Sequence, residues 1–239
     1  MARGLRGEGE EEIGMIPSDN FKNPERIHLS ILAPLEKECL IRIARKLPVE
    51  INSDHLTALG FLGMLGAGLC FYLGQWNRYM LIAAILCLFV NWFGDSLDGT
   101  LARVRNQQRP RYGFYVDHIL DAIGILALLA GMGFSGYMTP WITAGVLITY
   151  YLINIEICLA TVSLGKFRLS FGIMGPTELR IVLAAACIIL MFRPFVHLFG
   201  SRFLLLDVGG VVTMIGLFIT TIILAISNGR ELYRLERLT

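Results

Sequence analysis

Four aspartates mark the part of the chain whose residue types and spacing could organise chemistry. Asp95 and Asp98 are three positions apart, Asp117 and Asp121 are four apart, and no other stretch between the long apolar segments gathers carboxylates this way. On a helix either spacing puts both side chains on one face, about one turn apart. Two such helices facing each other would bring four carboxylates to one point. Long apolar segments flank the stretch on both sides, and four ionised carboxylates near a bilayer need cations to neutralise them. Two divalent hard ions would balance the charge, because carboxylate oxygens are the ligands that Mg²⁺, Mn²⁺ or Ca²⁺ prefer. Gly99 follows Asp98 directly and Ala102 lies one turn beyond it, which leaves room for a bulky ligand against the backbone. Arg103 adds a fixed cation suited to phosphate oxygens.

The elements that must hold these residues are membrane helices. Of 239 residues 55% are hydrophobic and only 17% charged, against roughly 25% charged in soluble domains. That balance excludes a chain built around one soluble core and points to a polytopic membrane protein. A net charge of +2 gives no reason to expect a nucleic-acid partner. Cys39, Cys70, Cys87, Cys158 and Cys187 are odd in number and lack metal spacing, so they read as small core residues. His28, His55 and His197 show no metal-like spacing either.

Taken in order, residues 1–25 are polar and charged and read as a mobile cytoplasmic tail with no cleavable signal peptide. Residues 26–48 read as a juxtamembrane amphipathic helix. Leu32, Leu35, Cys39, Leu40, Ile43 and Leu47 share its apolar face, with Lys37, Arg45 and Lys46 off it. Residues 49–239 then form one unit of six transmembrane helices, at about 55–74, 79 to the aspartate motif, 113–132, 140–164, 176–192 and 203–227. The expected fold is therefore an all-α membrane protein. With six spans, all of the 21 Lys and Arg except Arg78, Arg193 and Arg202 fall on one side. That side should be cytoplasmic, with both termini and the aspartates on it.

The run Asp95-x-x-Asp98-Gly99-x-x-Ala102-Arg103, nine residues, then Gly113-x-x-x-Asp117-x-x-x-Asp121 resembles the signature of the CDP-alcohol phosphotransferases at every fixed position. The resemblance implies a metal-dependent transferase of phospholipid biosynthesis that moves a substituted phosphate from a CDP-alcohol to a hydroxyl and releases CMP. It implies two divalent cations, Mg²⁺ or Mn²⁺, with Asp95, Asp98 and Asp117 as ligands that hold the CDP pyrophosphate. Asp121 would complete the metal site or accept the proton of the attacking hydroxyl. Gly99, Ala102, Arg103 and Gly113 would line the CDP site. A carboxylate is a weak base for an alcohol, so His118, next to Asp117, is the competing catalytic base; a helix-packing histidine is the plainer reading.

Other polar residues are open to two readings each. Gly175-Pro176-Thr177-Glu178 has Pro and Glu where a helix start favours them. A similar Gly-Pro-x-Glu element in the amino-alcohol branch of the family implies a place beside the pocket for Thr177 and Glu178. Glu156 and Asn154 lie inside a span, where a carboxylate has either a role or a partner. Lys166, Arg168 and Arg180 could hold an anionic acceptor or headgroup, or serve only as positive-inside charges.

Two substrate schemes follow from the resemblance. CDP-diacylglycerol donates to a small alcohol, which the short chain favours, or CDP-ethanolamine or CDP-choline donates to diacylglycerol. Ala122 stands where inositol-phosphate-transferring members carry Arg, and Asp54 where many members have Pro-Asn. The expected partners are the CDP-linked donor, the bilayer and the acceptor, with a homodimer as a candidate assembly and the bacterial inner membrane, ahead of the endoplasmic reticulum, as the location. An ion-binding transporter and a non-catalytic lipid-binding scaffold are the alternatives of other classes. Carboxylates spread through several spans would mark the first, and loss of a motif aspartate the second.

Overall fold

The computed structural model describes residues 33–164 and 175–237. These residues form seven helices and one hairpin: α1 (Ala33–Lys46), α2 (Ser53–Leu73), α3 (Met80–Val104), α4 (Pro110–Phe134), α5 (Pro140–Leu164), α6 (Pro176–Phe192), β1 (Phe195–Leu198), β2 (Ser201–Leu204) and α7 (Leu205–Leu235). Residues 1–32, Lys166 and Arg168 lie outside the described residues. Among the described residues, α2, α3, α4, α5 and α7 are long and apolar enough to cross a membrane. The chain is thus an all-α membrane protein, with five such helices among the described residues where the sequence predicts six. At 17 residues α6 is about 26 Å long at 1.5 Å per residue, short of the roughly 30 Å hydrocarbon layer.

Local chemistry sets the helix starts. Asn52 caps α2 by accepting the His55 N–H at 3.0 Å. Proline opens α4 and α6, where its missing N–H costs nothing. Glycines then set the spacing between helices. A Cβ on Gly94 of α3 would lie 2.5 Å from both Gly60 N and Leu56 O of α2, so these two backbones touch. Gly68 of α2 and Gly131 of α4 meet in the same way.

Around this glycine-packed trio lies a core that includes Phe71, Leu81, Leu88, Leu128, Met132 and Leu190. A second cluster of Leu40, Ala44, Leu56, Leu97 and Leu101, with Ile43 and Leu47 against it, joins α1 to α2 and α3. Helix α1 therefore spends its apolar face on protein, and Cys39, expected on that face, is exposed. The expected face was too wide by one residue: Ala44 fills the seam instead.

Helix α1 is fixed further by Arg105, just past the end of α3. Its guanidinium donates to Ile51 O at 2.5 Å, Pro48 O at 2.8 Å and Leu47 O at 3.0 Å. The hairpin between α6 and α7, absent from the sequence reading, turns on Phe199 and Gly200, both at positive φ, the backbone of a type I′ turn.

Candidate active site

The end of α3 and the first half of α4 carry the four aspartates, and the two on α3 are held by different neighbours. Asp98 accepts a hydrogen bond from Thr57 Oγ1 of α2 at 2.6 Å and another from the Gly99 N–H, while Ser53 Oγ donates to its backbone carbonyl at 3.0 Å. Asp95 accepts from Arg180 Nη2 of α6 at 2.7 Å. The same guanidinium donates through Nε to Asn91 Oδ1 at 2.8 Å. Asn91 is buried and donates its Nδ2 to Gly60 O at 2.9 Å. A polar chain thus runs from the α2 backbone through α3 to α6 and back to Asp95.

Two neighbouring spaces lie among these groups. A chamber of about 20 Å³ is bounded by Thr57, Asn91, Asp95, Asp98, Leu120 and Asp121, room for one water-sized body. Beside it opens a cleft of about 330 Å³ whose wall includes Asp98, Gly99, Ala102, Arg103, Gly113 and Asp117, within the usual range for ligand pockets. Thr57 and Asp98 belong to both walls. The four carboxylates therefore do not converge on one point, as their spacing suggested. Asp95 and Asp121 face the chamber, Asp117 faces the cleft, and Asp98 stands between. They remain within electrostatic reach of one another: Asp95, Asp117 and Asp98 all act on Asp121, and Arg180 offsets them.

The donor set can be tested against the cations that the motif implies. It is all oxygen and it borders an ion-sized chamber, which fits hard divalent cations. Among the described residues no three His, Cys, Asp or Glu groups already close into a metal shell. Asp95 is turned to Arg180 and Asp98 to Thr57, which keeps the oxygens apart.

Packing does not require the two glycines of the cleft. A Cβ on Gly99 would meet only Arg103 Nη1, at 3.5 Å, and one on Gly113 would meet nothing within 4 Å. The space they leave is cleft space. At its rim Arg109 pairs with Asp54 and lies 4.3 Å over the Tyr112 ring, which accounts for the unusual aspartate at the start of α2. Arg103 donates to Thr100 Oγ1 at 3.0 Å.

The remaining sequence candidates divide. His118 borders neither space; its Nδ1 is 2.7 Å from Phe114 O and its ring 4.1 Å from the Phe114 ring. A carbonyl only accepts, so Nδ1 carries the proton and Nε2 is the basic nitrogen. Glu178 accepts from the Gly175 N–H at 3.0 Å, as a helix cap. Thr177 reaches Glu36 of α1 at 3.2 Å. Glu156 accepts from Asn228 of α7 at 2.6 Å and Asn154 donates to Tyr150 O at 3.0 Å; both act between or within helices. Arg180 alone of the proposed headgroup residues contacts a motif aspartate among the described residues.

Several contributors escaped the sequence reading. Thr57 lies one turn after Ser53 and Asn91 one turn before Asp95, so each extends a polar face that the reading did not follow. Tyr150 lies within electrostatic reach of Asp121, Arg180 and Asp95, and in sequence it is one aromatic among many.

A family model described as CDP-alcohol phosphatidyltransferase matches residues 51–225. No curated protein matches the chain.

Proposed function

This chain belongs to the CDP-alcohol phosphatidyltransferase family, and we propose that it transfers a phosphatidyl group from CDP-diacylglycerol to the hydroxyl of a small alcohol, with release of CMP. The family makes it a membrane transferase of lipid synthesis that takes a CDP-alcohol as donor. The observation that carries transfer from a CDP-linked donor is the shared wall: a nucleotide-sized cleft and an ion-sized chamber meet at Asp98 and Thr57. A pyrophosphate lying across that wall would have its nucleotide in the cleft and its reacting phosphorus beside Asp121.

In this reading Asp95, Asp98, Asp117 and Asp121 would hold two divalent cations, Mg²⁺ or Mn²⁺. When bound, such ions neutralise pyrophosphate charge and ease departure of the leaving phosphate. The chain's own residues do the rest. Gly99, Ala102 and Gly113 leave the cleft open to the nucleotide, and Arg103 offers a cation to its phosphates. Thr57 holds one Asp98 oxygen, so the carboxylate keeps one orientation. The acceptor oxygen forms a bond to the phosphorus that bears diacylglycerol, the bond from that phosphorus to the bridging oxygen breaks, and CMP leaves with that oxygen. Asp121 takes the acceptor's proton, a contribution of about 10² to 10⁴ in rate. His118, bonded to Phe114 O and away from both spaces, packs the helix.

The six-span topology belongs to the same proposal. Helix α6 starts where Arg180 meets Asp95 and ends where Leu190 joins the core with Leu81 and Leu206, so it runs from the site to the far end of α3. A slight thinning of the bilayer accommodates its length. Both termini and the site are then cytoplasmic, in line with the distribution of Lys and Arg.

The second scheme, CDP-ethanolamine or CDP-choline with diacylglycerol as acceptor, draws support from the position of the Gly175–Glu178 turn at the edge of the site. Incubating purified protein with labelled CDP-diacylglycerol or CDP-ethanolamine, each with its candidate acceptors, tests both. CMP release from CDP-diacylglycerol alone is expected. Release only from CDP-ethanolamine would select the second scheme, and release from neither by folded protein would overturn both.

A further inference from the structure

Helix α1 lies outside residues 51–225, the span that matches the family, yet one of its side chains reaches the neighbourhood of the aspartates. Glu36 Oε1 accepts from Trp92 Nε1 and Ser96 Oγ of α3, both at 2.9 Å. Its Oε2 accepts from Thr177 Oγ1 of α6 at 3.2 Å. Trp92 and Ser96 directly follow Asn91 and Asp95 in sequence, the two residues that hold Arg180. Thr177 and Arg180 are three apart in the first turn and a half of α6, so they share a face. Two ties therefore join α3 to α6 side by side, an inner one through Arg180 and an outer one through Glu36. The contacts described for Glu36 come from neutral donors on two helices, the pattern of a carboxylate used as a bracket.

We propose that Glu36 is a positioning residue: by tying Thr177 to Trp92 and Ser96 it holds the start of α6 on α3 and so keeps Arg180 on Asp95. The consequence rests on the reading of Asp95 as a cation ligand. Arg180 Nη2, 2.7 Å from Asp95 Oδ2, competes with a metal ion for that oxygen and repels it. Holding Arg180 in place restrains cation uptake and keeps a fixed positive charge beside the reacting phosphate, where charge develops during transfer. Loosening it has two effects of opposite sign: tighter binding of cation alone and slower turnover. A general packing defect would weaken both.

The test is Mn²⁺ binding to purified full-length protein, read from the paramagnetic resonance signal of free Mn²⁺ without nucleotide or acceptor, together with kcat for CMP release. Arg180→Gln should tighten Mn²⁺ binding by about tenfold, the lower end of what one cation does to a neighbouring carboxylate, while kcat falls. Glu36→Ala and Thr177→Val should move both quantities in the same directions by smaller factors. Glu36→Ala combined with Arg180→Gln should match Arg180→Gln alone, because both substitutions break one path. Glu36→Gln keeps an acceptor for Trp92 and Ser96 and a donor for Thr177, and should hold the parental Mn²⁺ midpoint. Parental Mn²⁺ binding in Thr177→Val or in Arg180→Gln, or weaker binding in either, overturns the proposal even if Glu36→Ala does not fold. Unchanged Mn²⁺ binding in Asp95→Asn would instead remove Asp95 from the cation site, and the proposed metal role with it.

Discussion

Replacing Gly113 by alanine should make the protein more stable and less active. Gly113 lies in the first turn of α4 on the cleft wall, and a Cβ there meets nothing within 4 Å. Glycine in a helix costs about 0.5–1 kcal/mol relative to alanine, so the substitution should raise the apparent Tm by roughly 1–4 °C for a chain of this size. The added methyl stands in space assigned to the nucleotide. A misplaced methyl in a fitted site costs about 1–3 kcal/mol, so kcat/KM for the donor should fall by about 10-fold or more. Gly94→Ala is the counterpart. Its Cβ would lie 2.5 Å from Gly60 N and Leu56 O, backbone atoms that cannot step aside, and overpacking of this kind costs about 1–3 kcal/mol or more. Its Tm should fall. Melting in detergent by intrinsic fluorescence and initial rates of CMP release over a range of donor concentrations measure both. An unchanged kcat/KM in Gly113→Ala would show that the ligand does not occupy this cleft, and a lowered Tm would show that packing needs the glycine.

Three further outcomes follow from named contacts. Arg105→Ala removes the donor to the Leu47, Pro48 and Ile51 carbonyls; with about 1.5–3 kcal/mol for a hydrogen bond to a charged group, the apparent Tm should drop by at least about 3 °C, and thermal melting checks it. Asp121→Asn should lower kcat by about 10² to 10⁴ without rescue by added Mg²⁺, whereas His118→Ala should cost less than about tenfold, the order of an orientation defect; steady-state rates would show the opposite ranking if the histidine were the base. Glu156→Gln keeps an acceptor for Asn228 and should leave the acceptor KM within about twofold, as a group that joins α5 to α7; a large rise in acceptor KM would return Glu156 to the acceptor pocket.

The sequence was most informative where a property repeats along one helix. The aspartate spacings marked the stretch of chain that borders the chamber and the cleft, and proline with apolar length placed the bounds of α5 and α6 where the structure has them. It was least informative about what each face meets. Thr57 finds Asp98 at a separation of 41 residues and Asn91 finds Gly60 at 31, and no pattern within one helix reports such pairings. The division of the site into chamber and cleft depends on those contacts, so four carboxylates that periodicity sends to one point are held in two adjoining spaces. Amphipathicity showed that α1 has an apolar face but not that α3 covers it; Ala44 seals the seam while Cys39 stays exposed. The β1–β2 hairpin was missed because its Phe-Gly turn lies between two apolar runs that read as helix ends. Glu36 carried no signal, since a glutamate in the first turn of a helix is ordinary.

CMP release by Asp98→Asn, assayed with labelled CDP-diacylglycerol at saturating Mg²⁺, bears most directly on the shared wall. Asparagine keeps the size of the side chain and an acceptor for Thr57 Oγ1 and gives up the local contact with the Gly99 N–H, so the fold should hold, and the main loss is the charge between cleft and chamber. The expected result is a folded, membrane-inserted protein with no detectable CMP release at any cation concentration. Turnover near the parental rate at saturating Mg²⁺ would contradict it and remove Asp98 from the site of reaction.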